Sequence, residues 1–295
     1  MHRLLAPVVL ALLALPFTAH AEERANAFGA RQTLARDLAD AWQLERAAEA
    51  WKQSLLAQDP AQSCGCPIPD DELIKIRDAW LSAVSIAFDA RTITAYIEAS
   101  LAAQHSEATL ESVLDFATSR LGRKLTEATL TVPTANSGES AAEQMAAEMK
   151  RLDAAAKSLD RDPRRKDLIE DLIVATDATE TLVDAMASIW RGMITGTLAS
   201  GPENLPRLSN DDVDRLMETQ RAQIAQTMAP ALPAMYQGMY AAIPTAELAR
   251  YVAWIKTPDA HDVTRTTNRA LIEGLDRMAE KIGEQFAKNM QATDI

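Results

Sequence analysis

Two cysteines separated by one residue, Cys64-Gly65-Cys66, are the side chains best suited to chemistry in this sequence. In an oxidising compartment such a pair forms a disulfide, and the short ring leaves open whether the bond is local or between chains. A structural disulfide is the expectation. The alternative is a strained, readily reduced bond for thiol–disulfide exchange, or a thiolate pair for a soft metal such as Cu(I). Two ligands are few for a metal, and no thioredoxin-like strand–helix unit accompanies them.

Histidine offers little else. His105 and His261 are the only two beyond the N-terminal segment, and they do not occupy matching places in the repeat described below. Each reads as a capping or surface residue. A Ser-His-Asp device or a His-rich metal site has little to draw on. No H-E-x-x-H, G-x-S-x-G, Gly-rich phosphate loop or calcium loop occurs, so no catalytic, cofactor-binding or metal residue is assigned and an enzyme is not expected. The third candidate is a stripe of soft side chains, Met228, Met235, Tyr236, Met239 and Tyr240, on one predicted helix. Its spacing suits a groove for an apolar ligand or a partner helix, and equally suits adaptable core packing. Pro230 and Pro233 are expected to kink that helix and could shape a cleft.

The elements that must position these residues read as helical throughout. The chain has 295 residues, 47% of them hydrophobic and 5% aromatic. It is rich in Ala, Leu, Met, Glu, Gln and Arg and lacks sustained period-2 alternation. The pattern predicts helices over 31–58, 71–100, 107–117, 120–131, 139–159, 165–198, 211–240, 245–256, 258–272 and 274–291. Ser209 with Asp212 three residues on is a capping pair, and Asp70-Asp71-Glu72 reads as a helix start, not a metal site. Ser119 and Thr257 are expected caps, and Pro258 suits a first helical position.

The first residues are expected to be removed. His2 and Arg3 give a basic start, Leu4–Phe17 is apolar but too short to span a bilayer, and Ala19-His20-Ala21 is a small-residue cleavage site. This pattern is a signal peptide cut after Ala21, which predicts a periplasmic or secreted protein. The net charge of −12, from 42 acidic and 30 basic residues, argues against binding nucleic acid or an anionic membrane surface.

The mature chain repeats itself. Ala108 and Leu110 align with Ala246 and Leu248 at an offset of 138, as do Phe116 with Trp254 and Thr126 with Thr264. Upstream, Leu34, Asp37 and Leu38 align with Leu168, Asp171 and Leu172 at an offset of 134. A period of this length means tandem domains. The expected organisation is all-α: residues 1–21 signal peptide, 22–160 a first helical-bundle domain, 161–295 a second. The charged stretch Asp160–Asp167 reads as a solvated hinge, with Arg164-Arg165-Lys166 as a weaker alternative anion site.

At these residues the chain resembles the bacterial exported family called domain of unknown function 2059. The second copy carries Tyr240, Thr245, Glu247-Leu248, Trp254 and Thr257-Pro258. The first carries Ser106, Leu110, Phe116 and Ser119-Arg-Leu-Gly122-Arg123-Lys124. Ala260, Arg120 and Ala117 depart from the family pattern. The resemblance implies an exported all-helical domain and brings no activity. The expected role is therefore a non-enzymatic binding or protein-interaction module of the cell envelope, its partner an envelope protein. The alternatives are a carrier of a small apolar ligand in a Met-lined cleft, and a thiol or metal protein using Cys64 and Cys66.

Overall fold

The computed structural model describes residues 15–57, 70–130, 141–200 and 209–293. Among these residues no strand occurs, and the protein is all-α. In chain order the helices are α1 (Leu15–Ala41), α2 (Leu44–Ala57), α3 (Asp70–Ala87), α4 (Ala90–Gln104), α5 (Glu107–Thr118), α6 (Arg120–Leu130) and α7 (Ala141–Asp160). They continue as α8 (Pro163–Ala175), α9 (Ala178–Ser200), α10 (Asn210–Met228), α11 (Leu232–Met239), α12 (Thr245–Ile255) and α13 (Pro258–Thr293). None of the described helices is long and apolar enough to cross a membrane.

Several predicted helices are divided. The stretch 31–58 breaks at Trp42-Gln43 and 165–198 breaks at Thr176-Asp177, because Gln43 (φ 52°) and Asp177 (φ 50°) turn left-handed. These two residues lie 134 positions apart, the spacing that relates Leu34 to Leu168. The stretch 71–100 breaks at Asp89, whose carboxylate accepts from the Arg91 N–H at 3.1 Å and the Thr92 hydroxyl at 2.8 Å, an N-cap for α4. Conversely, 258–272 and 274–291 are one helix, since the roughly 1 kcal/mol cost of Gly274 does not stop it.

Other local features follow their chemistry. Ser209 and Asp212 form the reciprocal capping box that opens α10. Pro230 and Pro233 convert the chain between α10 and α11 into a short 3₁₀ turn, Ala229–Ala231. Ser119 caps α6 by accepting from the Gly122 N–H at 3.0 Å. Thr257 does not cap α13 with its side chain: its hydroxyl turns back and donates to the Trp254 carbonyl at 2.7 Å.

The expected solvated hinge is a tight corner that is exposed except at Arg165 and, in part, Asp162. Asp162 caps α8, Pro163 takes its first position, and Arg165 is only 7% exposed. Its guanidinium donates to Gln237 Oε1 at 2.6 Å, the Tyr240 carbonyl at 2.6 Å and the Ile243 carbonyl at 2.8 Å. These bonds occupy the donors that an anion would need, and they tie α8 to the α11–α12 corner.

Two apolar cores result, and each draws on residues from both sides of position 160. The larger joins Leu38, Ile93, Ile97, Leu101 and Leu110 to Val263, Leu275 and Ile282 of α13. The smaller joins Leu125 and Leu159 to Ile169, Leu172, Tyr240, Ile243, Leu248 and Ile255. The last helix before position 160, α7, packs on α11, while α13 packs on α3 and α4 as well as along the length of α9. Helices α9 and α13 approach each other closely. A Cβ at Gly192, Gly196 or Gly283 would fall on backbone of the facing helix, so only glycine permits this approach.

Candidate functional site

Between the segments that precede and follow position 160 lies a cleft of about 320 Å³. One wall begins at the α1–α2 corner with Trp42 and Leu44, held there by the left-handed turn at Gln43. Phe116 comes from the end of α5, and Thr126 and Thr129 from α6. The opposite wall takes Tyr240, Tyr251 and Trp254 from the α11–α12 region and Thr264, Thr267 and Asn268 from the start of α13. Four lining pairs stand 138 positions apart: Phe116 and Trp254, Ala117 and Ile255, Thr126 and Thr264, Thr129 and Thr267. These four pairs fall at corresponding places in the 138-position self-alignment of the sequence.

Phe116 and Trp254 stack directly on one another, with ring centroids 3.7 Å apart and planes at 8°. Tyr251 lies alongside, 6.3 Å from Phe116 and 6.1 Å from Trp254. Gly122 makes this placement possible, because a Cβ there would fall on the Phe116 and Ala117 carbonyl oxygens. Trp254 packs against both cores, which places the stack where they meet. Lys124 and Glu247 add an ion pair of 2.7 Å across the same boundary. Its hydrogen bond holds the Glu247 carboxyl below its ordinary range.

The tyrosines of this region are enclosed. Burial pushes the Tyr251 hydroxyl up to about 12 and Tyr240 well above its ordinary value, and the two are hydrogen-bonded to each other. Both stay protonated at neutral pH, so the cleft carries no phenolate. The remaining polar groups are partly committed. Thr129 donates to the Thr126 carbonyl at 2.7 Å, and Thr267 donates to the Val263 carbonyl at 2.9 Å. Asn268 uses its amide hydrogens on the Thr176 carbonyl and the Thr181 hydroxyl, both at 3.0 Å.

The Met/Tyr stripe is distributed differently from a single groove. Tyr240 lines the cleft, while Tyr236 and Met239 pack against the smaller core. Met228 and Met235 are half-buried and are not among the cleft's lining residues. His105 is the C-cap of α4, its backbone N–H donating to the Leu101 carbonyl at 3.1 Å, and its Nε2 lies 2.9 Å from the Thr266 hydroxyl of α13. Burial lowers its pKa, against the opposing pull of Asp262 and Asp259. His261 is half-buried with Nδ1 3.8 Å from an Asp262 oxygen. Cys64 and Cys66 lie outside the described residues. Among the described residues no group of three or more His, Cys, Asp or Glu could hold a metal.

Sequence reasoning had two of the four lining pairs, Phe116/Trp254 and Thr126/Thr264, but only as evidence of a repeat. It missed Trp42, Thr129, Thr267 and Asn268. Extending the same 138-residue alignment by one helical turn reaches Thr129 and Thr267. Trp42 and Asn268 carry no local signal. Chemically, the cleft offers dispersion from aromatic and aliphatic walls and hydrogen bonds from neutral groups. No family model, curated protein or solved structure matches this chain.

Proposed function

We propose that the protein is an exported, non-enzymatic binding protein of the cell envelope that holds a small, mainly apolar molecule in the cleft between its two repeated halves. The observation carrying this reading is the Phe116–Trp254 stack with its Thr126/Thr264 and Thr129/Thr267 flanks: equivalent positions of both halves converge on one cleft. Its volume of about 320 Å³ falls at the small end of ligand sites. Compared with the expected Met-lined groove, the favoured site keeps Tyr240 and exchanges the methionines for aromatic and threonine walls.

Export rests on the basic, apolar and Ala19-His20-Ala21 segments. Cleavage after Ala21 shortens α1 but leaves Ala35, Leu38 and Ala39, its buried residues among those described, in place. The resemblance at Glu247-Leu248 and Thr257-Pro258 fits this reading, since it implies an exported helical domain. The test is native mass spectrometry of protein recovered from its own cell envelope. The expected result is a chain beginning at Glu22 that carries a small-molecule adduct, and Thr129→Phe, which fills the cleft, abolishes the adduct. A ligand-free wild-type protein that also takes up no neutral apolar probe overturns the reading.

A further inference from the structure

We infer that the ligand of this cleft is an uncharged aromatic molecule bearing a hydroxyl or N–H donor at its edge. The inference rests on the binding reading above and specifies its chemistry.

Charge is the first discriminator. None of the described residues lining the cleft is an acid, a base or a histidine. An ion entering it would lose hydration with no counter-charge to replace it, which is costly in a low-dielectric site. A carboxylate or phosphate therefore has no partner. A cation could rest on one aromatic face, but that returns less than the hydration an ion loses on burial. Here three of the rings form layers, with Tyr240 tilted at 60° to Tyr251: Phe116 lies at 8° to Trp254 and 14° to Tyr251, and Trp254 lies at 21° to Tyr251. Two of the faces at the centre are turned to each other at 3.7 Å. A layered stack presents positive ring edges, and these attract the negative face of another aromatic ring.

The polar groups decide the ligand's hydrogen-bonding sense. Thr129 and Thr267 direct their single hydroxyl protons to carbonyls of their own helices, at 2.7 and 2.9 Å. What their oxygens retain is acceptor capacity. Asn268 directs both amide hydrogens to α8 and α9, and the Thr176 carbonyl fixes that orientation, so its Oδ1 is likewise an acceptor. A ligand that donates satisfies these three groups, one that only accepts leaves them unpaired, and a hydroxyl can also accept from the indole N–H groups of Trp42 and Trp254 in the same lining.

The test uses four para-substituted benzenes titrated into the full chain by calorimetry. They are 4-ethylphenol (neutral donor), 4-ethylanisole (neutral, no donor), 4-hydroxyphenylacetate (anion) and tyramine (cation). The expected order places 4-ethylphenol first, its ether about fivefold weaker for one lost hydrogen bond, and both ions at least about tenfold weaker. Thr129→Val and Thr267→Val keep the shape and remove the acceptor. Either should weaken 4-ethylphenol by about fivefold and leave 4-ethylanisole unchanged. Equal or tighter binding of an ion, or of the ether, overturns this inference while the binding reading stands. No saturable binding of the four probes or of the neutral dye Nile red overturns both.

Discussion

The described part of α6, Arg120–Leu130, aligns at an offset of 138 with the start of α13, the helix that runs from Pro258 to Thr293. The two stretches share their opening turns. Thr126 and Thr129 on α6 face the cleft, as do Thr264 and Thr267 on α13. From Asp276 onwards α13 lies against α9 at glycine distance, and its buried face also meets α3 and α4. One helix thus carries two regimes: an opening third beside an unfilled cleft and a remainder packed as closely as backbone allows. The contrast separates the part that can admit a ligand from the part that holds the halves together.

The strongest way to break this comparison is to add one methyl group at the α9–α13 contact and one where α13 meets α4. Gly196→Ala puts a Cβ onto the Glu280 carbonyl and should destabilise by about 2–3 kcal/mol, because neither helix can yield without shifting. Gly274→Ala, on the same helix α13, meets Ile93 at an ordinary 3.5 Å and should stabilise by about 0.5–1 kcal/mol through reduced unfolded-state entropy. Urea denaturation of both variants decides the matter. Equal effects would mean that the α9–α13 contact is not specially close.

A comparable loss is expected at Arg165. Arg165→Met leaves the buried Ile243 carbonyl without its donor and the Tyr240 carbonyl with only the Ile243 N–H, at a cost of about 2–3 kcal/mol. Arg165→Lys should recover little of it, since an ammonium cannot reproduce the planar fork that reaches Gln237 and both carbonyls. Because Tyr240 lines the cleft, both variants should also weaken 4-ethylphenol. Full stability in Arg165→Lys would show that charge alone suffices at this corner.

The aromatic stack comes next. In a double-mutant cycle of Phe116→Leu and Trp254→Leu, the coupling should be about 1 kcal/mol, the usual excess of an aromatic pair over area burial. Additive effects would indicate that the two halves meet at this point without depending on each other.

What could be read in the sequence, and what could not, follows the range of each interaction. Caps and prolines act within a turn of helix, so Ser209, Ser119, Pro230 and Pro233 announced their roles correctly. The breaks at Gln43 and Asp177 did not show, because neither residue is glycine or proline and a single left-handed residue leaves the apolar period almost intact. Asp89 was a readable cap overlooked within a long apolar run. Arg165 looked like part of a solvated charge run because its acceptors lie 72 to 78 positions away. Gly192, Gly196 and Gly283 looked merely sparse, since their meaning exists only when α9 and α13 are side by side. The site was half legible: an alignment of the chain with itself contains the Phe116/Trp254 and Thr126/Thr264 pairs, but only packing shows that they converge.

The smallest effect tests whether the tie between α4 and α13 responds to pH. His105 ends α4, and its Nε2 lies 2.9 Å from the Thr266 hydroxyl. Burial lowers the His105 pKa below 6.5, and Asp262 and Asp259 only partly oppose this. In the unfolded chain the same side chain takes up its proton near 6.5. As pH falls below that value, the unfolded state binds more protons than the folded one, so stability declines towards the lowered folded value and levels off beneath it. Above about pH 7 both states are neutral at this position, and the histidine adds no pH dependence. His105→Asn, which keeps a hydrogen-bonding side chain without a titration, should therefore match the wild type near pH 8 and lose less stability than it between pH 7 and 5. Parallel stability curves for the two proteins over that range would show that the Thr266 contact carries no protonation cost, and that the packing of α13 on α4 is set by its apolar face alone.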